Sequence, residues 1–253
     1  QIDAGNFPFH LFINFFRNHD LFSLKNRPQW KFVKGGSNSY IKKILDHKKF
    51  HYTLNSKISK VIRSNNQIKI IENKEERSFD YLVMATHADQ VLKILDKPTE
   101  LEKNILSIFE YTNNKAYLHS DSKMMPKDKK TWSSWNFIKN KKNNHAFTLT
   151  YWMNNLQKLK SNSDYFVTIN PDKIPKLIHD ETSFKHPKFN LLTSKYQKSL
   201  KNLQGINNTF FCGAYHGFGF HEDGIQSAAY VANMLEVDIP WKRDKTFYNR
   251  LQY

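Results

Sequence analysis

Residues 210–235, FFCGAYHGFGFHEDGIQSAAYVANML, decide how this chain is read. An apolar run ends at Gly213. A loop with further glycines at 217, 219 and 224 comes next, carrying His216, His221, Glu222 and Asp223. Small and apolar residues then recur at helical spacing. The pattern predicts a buried strand ending at Gly213, a glycine turn, and a helix beginning near Asp223 that Glu222 or Asp223 caps. Ser227, Ala228 and Ala229 suit close packing of that helix. Glycine lets backbone approach a ligand closely, and a helix N-terminus favours anions and electron-rich carbonyls. Strand, glycine turn and helix N-terminus together describe a ligand cradle. A metal reading of the same loop fails on spacing, because His216, His221, Glu222 and Asp223 match no ligand signature, so no metal is expected.

Working outward, 253 residues suffice for one large domain or two interleaved ones, and 39% hydrophobic residues suffice for a sizeable core. The formal charge of +16 invites nucleic acid or an anionic membrane. Its lysines are dispersed along the chain rather than clustered, which reads as composition; no nucleic-acid partner is expected. The densest run, KNKKNN at 139–144, reads as a solvated loop. The single cysteine, Cys212, sits in an apolar run and reads as buried packing in a reducing, cytoplasmic setting.

Residues 7–24, FPFHLFINFFRNHDLFSL, predict a helix with Phe12, Phe15 and Phe16 at helical spacing, buried or lining a cavity, with Asp20 capping the next segment. The alternative is a lipid-facing helix. Gly35-Gly36 predicts a turn, and Ser37 or Asn38 a cap for a helix presenting Tyr40, Ile41, Ile44 and Leu45. Strands are expected at 51–55, 57–63 and 67–72, with Asn65-Asn66 as a hairpin turn. The apolar run FDYLVMAT, 79–86, predicts a strand buried on both faces, and DQVLKILD a helix after it. KAYLHSD, WSSWNFI, HAFTLTYWM and DYFVTIN predict an antiparallel sheet, and Tyr196 to Leu203 a helix. His87 and His119 read as ordinary polar residues at strand ends.

The stretches FFRNHDLF, RPQWKFVKGGSNSY, FDYLVMATHADQVLKIL, TYWMNNLQ and FCGAYHGFGFHEDGIQSA, in that order, resemble the C-terminal portion of the FAD-dependent amine oxidase and desaturase-like superfamily. The likeness is greatest to a bacterial branch of predicted NAD/FAD-binding proteins. It implies a mixed α/β fold: a partial Rossmann-like FAD-binding domain interleaved with a substrate domain on an antiparallel sheet. On that reading 1–34 is a substrate-domain helical segment and 35–97 a returning part of the FAD-binding domain. Residues 98–205 are the substrate domain, and 206–253 the C-terminal part of the FAD-binding domain.

The resemblance also implies FAD as cofactor. Its contacts would come from Ile58 for the adenine, Ala85 and Thr86 near the adenosine, and Gly213 and Ala214 near the ribityl or pyrophosphate. His221, Glu222, Gly224 and Ile225 would line the flavin edge. Trp30, Tyr151 and Trp152 are the substrate-cavity residues it points to, each with plain aromatic packing as the alternative; no catalytic side chain is identified. The implied activity is oxidation of an amine, or of a lipid- or isoprenoid-type C–H bond, by hydride transfer to FAD. Aromatics and basic charge add an expected peripheral contact at the inner membrane face.

Two departures stand out. No G-x-G-x-x-G turn opens a βαβ unit here, so the chain is expected to be a fragment that holds FAD poorly alone. Tyr215 stands where relatives carry an acidic residue and Ala228 where glycine is common. An inactive flavoprotein fragment and a basic binding module are the rival readings.

Overall fold

The computed structural model describes residues 7–25, 28–29, 31–47, 50–64, 67–139, 147–241 and 250–251. Trp30 and the Asn65-Asn66 turn lie outside the described residues, as does all of the 139–144 loop except Lys139. Two compact units form: one from residues 1–111 and 187–253, the other from 112–186 inserted between them.

The first unit opens with helix α1 (Phe9–Asn18) and α2 (Asn38–Leu45). Both termini of α1 obey local rules. Pro8 precedes its first residue, where a missing N–H costs nothing, and Arg17 lies in its last turn. Asp20 caps no helix; it sits at φ 52° in a turn, where its carboxylate accepts from the Ser23 hydroxyl. Gly35 and Gly36 form the expected turn, at φ 81° and 76°. The apolar face of α2 is not buried: Tyr40, Ile41 and Ile44 are exposed. Helical spacing gives a face its composition but cannot supply a surface to cover it.

Next comes the antiparallel meander β1 (Ile58–Ser64), β2 (Gln67–Glu72) and β3 (Glu75–Phe79). The expected strand at 51–55 is irregular instead, with a turn at Leu54-Asn55 and Asn55 at φ 59°. β4 is only Leu82–Met84, and α3 (Ala88–Ile94) and α4 (Glu100–Leu106) come after it. The 79–86 run is therefore divided. Phe79 closes β3 opposite Ile68, and within β4 only Met84 is buried while Val83 is 43% exposed. Polar residues 75–78 pair with β2 and draw Phe79, the first residue of the run, into β3, which periodicity alone does not reveal. Helix α4 starts at a complete capping box, Thr99 with Glu102.

The second unit is a five-stranded antiparallel sheet. Its strands are β5 (Tyr111–His119), β6 (Trp135–Lys139), β7 (Phe147–Trp152), β8 (Phe166–Ile169) and β9 (Ile178–Pro187), with the short α5 (Met153–Leu156) after β7. The order across the sheet is β6-β7-β8-β5-β9. Edge strand β9, IHDETSFKHP, is exposed along nearly its whole length and carries no buried alternation, so it gave no strand signal.

The chain then returns to the first unit. α6 (Leu191–Gln197) is capped by Asn190, earlier than the helix expected at 196–203, of which a 3-10 turn covers Leu200–Leu203. β10 (Thr209–Phe211) pairs in parallel with β4, Phe210 opposite Val83, and α7 (His221–Met234) is the last helix among the described residues. β10 is buried on both faces. Phe211 enters a core with Met84, Val91, Leu106, Leu200 and Tyr215, while Phe210 and Cys212 pack against Val231 of α7.

Candidate functional site: a glycine turn, a helix N-terminus and an aromatic cavity

β10 stops at Phe211, and Cys212 still donates its N–H to the Met84 carbonyl (3.1 Å). Gly213 then adopts φ 148°, a region side chains rarely enter. A Cβ there would lie 2.9 Å from the Tyr215 ring and 3.7 Å from the Thr86 carbonyl oxygen. The ends of β4 and β10 thus meet at this glycine, which brings Thr86 beside Gly213. Residues 214–216 make one 3-10 turn. The buried Gln197 side chain holds that turn, its amide N–H donating to the carbonyls of Tyr215 (2.9 Å) and Gly217 (2.6 Å). Gly217 leaves no room for a side chain, because an added Cβ would sit 2.6 Å from Asp223 Cγ.

α7 begins at His221, two residues before the expected start. Asp223, its third residue, reaches back to accept from the Phe220 N–H (2.7 Å). Its other oxygen accepts from Arg250 Nε (2.7 Å), and the Arg250 N–H donates to Gln226 Oε1 (3.1 Å). Gln226 in turn donates to Glu222 Oε1 (3.0 Å). Both acidic side chains of the first turn are thereby engaged. Ser227 joins helix to turn: its hydroxyl accepts from the Gly213 N–H (2.9 Å) and donates to the Gly224 carbonyl (2.8 Å). At Gly224 the backbone is open; outside the helix, an added Cβ would have only Ala214 N within 4 Å, at 3.9 Å.

Gly213, Ala214 and Gly224 therefore come together with Thr86 at one place. His221, Glu222 and Ile225 project exposed from the same first turn of α7, and Ala85 is exposed at the end of β4. Ile58 stands at the open end of β1, opposite Glu72, on the separate meander. Tyr151 and Trp152 lie in the second unit, on β7, opposite Val167 and Phe166 of β8. Trp152 donates its indole N–H to Asp164 (2.9 Å) and packs edge-on against Trp132. Burial raises the Tyr151 phenol above its usual value. Ser227 and Ala229 pack inward as expected, whereas Ala228 is exposed. Tyr215 is a core residue, edge-on to Phe109.

Burial pushes the His216 imidazole down to about 3 and the Cys212 thiol up to about 11. At neutral pH both are uncharged core groups. Among the described residues no three His, Cys, Asp or Glu side chains group as a metal site.

A cavity of about 340 Å³ adjoins the same turn. Phe12, Phe15 and Phe16 of α1 face Phe189, Phe218 and Phe220 across it, with Phe7 and Leu11 completing the described lining. The rings pack on one another, Phe12 on Phe16 at 4.3 Å and Phe15 on Phe220 at 5.7 Å. The α1 aromatics were legible as a cavity-lining helix. That Phe218 and Phe220 close the other wall was not, nor was the role of Gln197 or Arg250, because these contacts join distant parts of the chain.

No family model and no curated protein matches the sequence. Solved structures do match the fold. A CLA-producing fatty acid isomerase from P. acnes aligns with TM-score 0.60 at 14% identity, over 80% of this chain and 52% of that one. A protein assigned as a protoporphyrinogen oxidase from Exiguobacterium sp. 255-15 aligns with TM-score 0.63 at 10% identity, over 90% and 58%. Cyclohexylamine oxidase from Brevibacterium oxydans aligns with TM-score 0.57 at 10% identity, over 87% and 57%. The chain has the mixed α/β fold of these proteins. It spans a little over half of their length.

Proposed function

We propose that this chain is the C-terminal portion of a flavin-dependent oxidoreductase, and that it holds one edge of FAD against the first turn of α7. The observation that carries this reading is the junction of Gly213, Ala214 and Gly224, where backbone from two strand ends meets a helix start and a Cβ added at Gly224 would find only Ala214 N within 4 Å outside the helix. The residues fit the group. The N–H groups of Asp223 and Gly224 already donate to the Phe220 carbonyl (3.1 and 3.3 Å), so those of His221 and Glu222 are the ones left to favour an electron-rich carbonyl edge. The carboxylates that would compete for them are engaged elsewhere, Asp223 with Phe220 and Arg250, Glu222 with Gln226. His221, Glu222, Gly224 and Ile225 would contribute through backbone, Gly213 and Ala214 near the ribityl or pyrophosphate, and Ala85 and Thr86 beside them. Ile58 is assigned to the adenine and Tyr151 and Trp152 to the substrate side by the family resemblance.

When bound, FAD supplies a hydride acceptor for a substrate C–H bond. The chain's own part is to fix the group's edge, stabilise charge developing on it through oriented N–H donors, and keep water out. The fold shared with two oxidases and a fatty acid isomerase supports an oxidoreductase whose substrate is an amine or a lipid. Peripheral membrane contact belongs to the same reading, with Phe9 and Leu24 being 73% and 91% exposed. No helix among the described residues is long and apolar enough to cross a membrane.

The test is visible absorption. The purified chain, and a longer polypeptide containing it, are incubated with FAD and passed through gel filtration. A flavin band that elutes with either protein is expected. Folded protein that emerges colourless in both cases overturns the reading and favours the inactive fragment.

A further inference from the structure

The cavity beside the turn decides between the two substrate classes. We infer that it receives the uncharged hydrocarbon chain of an acyl-type amphiphile and rejects an ammonium group. The inference rests on the flavin reading only for the use of the bound chain in oxidation, not for its binding.

Three observations carry it. First, the described lining is seven phenylalanines and one leucine, with no carboxylate and no hydrogen-bonding side chain. An ammonium group entering it would leave water without a counter-charge, which is strongly unfavourable. A methylene chain gains apolar burial and needs no partner. Second, two of the aromatic rings that could attract a cation already have one. The Arg250 guanidinium lies 5.7 Å from the Phe218 ring centroid and 5.5 Å from that of Phe220. Third, Phe218 and Phe220 belong to the glycine turn itself, Phe220 being the residue before α7. A chain held there lies alongside the start of α7, next to the proposed flavin edge. At about 340 Å³ the cavity falls in the lower part of the range for small-molecule sites, which suits a single chain. A polar head would remain at the mouth.

The experiment is fluorescence titration of the 253-residue chain with cis-parinaric acid, then displacement with dodecanoate, dodecanol and 1,12-diaminododecane at neutral pH. The diamine has the same chain length but carries an ammonium at both ends, so neither end enters without burying a charge. Saturable binding is expected, with dodecanoate and dodecanol displacing the probe about tenfold or more better than the diamine. Phe12→Glu places a carboxylate in the wall at a position already 41% exposed. It should weaken the probe about tenfold and narrow or reverse the preference against the diamine. Leu24→Glu, on a residue outside the lining, should change neither. Absence of saturable probe binding overturns the inference. So does a diamine that competes as well as dodecanoate in the unsubstituted chain, a result that does not depend on how any variant folds. A colourless protein that binds the probe with the expected ranking would refute the flavin reading and leave this inference standing.

Discussion

Asp223 and Arg250 form a buried ion pair, Nε to Oδ1 at 2.7 Å, with side-chain exposures of 0% and 10%. The same carboxylate closes the N-terminus of α7 through the Phe220 N–H. One acidic side chain thus joins a glycine turn, a helix start and a residue near the end of the chain.

Removing the guanidinium should therefore cost more than a surface contact. Arg250→Met leaves a carboxylate buried without its cation, a loss of about 3–5 kcal/mol for pairs of this kind. Thermal denaturation should show a large fall in Tm. The double variant Asp223→Asn with Arg250→Met should recover part of it, since no uncompensated charge remains. An Arg250→Met protein as stable as the parent would show that the pair contributes nothing.

Gly217 has no space for a methyl group, because Asp223 is held in place by Arg250 and Phe220 and cannot move aside. Gly217→Ala should destabilise by about 1–3 kcal/mol, the usual cost of forced overpacking, and should reduce flavin retention on gel filtration. Gly36→Ala is a useful comparison, since its Cβ would meet nothing within 4 Å and only its φ of 76° is adverse. Denaturant titration of the two variants should rank Gly217→Ala as the weaker.

Glu102 makes a bidentate pair with Arg63, Oε1 to Nη1 at 2.5 Å and Oε2 to Nη2 at 2.8 Å. Burial alone would push this carboxyl up. Hydrogen bonds from Arg63 and Thr99, with the Arg63 charge, outweigh it and hold the group below its ordinary 4.5. A folded value below the unfolded one gives stability that is present above pH 4.5 and is lost as pH falls through the folded value. Stability measured across that acid range should fall, and Glu102→Gln should be less stable at neutral pH with a flatter acid limb. An unchanged acid limb would exclude Glu102 as its source.

In the second unit His119 is fully buried and its protonation pattern is set by its neighbours. Nδ1 accepts from the Asp121 N–H (3.0 Å), so the ring proton is on Nε2 and donates to Thr168 Oγ1 (2.7 Å). Thr168 donates to Thr150 (2.9 Å), and Thr150 to the Met124 carbonyl (3.3 Å). Burial pushes the imidazole below 6.5, more than the Asp121 charge raises it. Its contribution to stability is thus present above pH 6.5 and is lost as pH falls through the lowered value. Thr168→Val keeps the shape and removes the acceptor, which should cost about 1–3 kcal/mol. Nitrogen NMR of the ring should report the Nε2–H tautomer in the parent; an Nδ1–H signal would disprove the chain of hydrogen bonds.

The strand, glycine turn and helix of 209–234 were legible because each depends on local chemistry. Gly213 must take a backbone conformation that other residues avoid, and the small residues after Asp223 repeat at helical spacing. The β1–β2 pair and the four strands β5 to β8 were legible for the same reason, through apolar content and alternation. Strand β9 was not, because an exposed edge carries polar residues on both faces. The strand expected at 51–55 failed for a related reason, and Tyr40, Ile41 and Ile44 of α2 stay exposed for the same one: pattern states what a segment can bury, not whether a partner surface exists.

What the sequence by itself determined is the mixed α/β class, the order of elements and the glycine turn, all set by backbone preference and short-range periodicity. Only the tertiary structure decided which residues meet there. Arg250 reaches Asp223, Gln197 grips the turn, and Phe12, Phe15 and Phe16 face Phe218 and Phe220 across a cavity. These pairs are separated by tens to hundreds of residues, and proximity between them arises from packing the whole core, which no local pattern encodes.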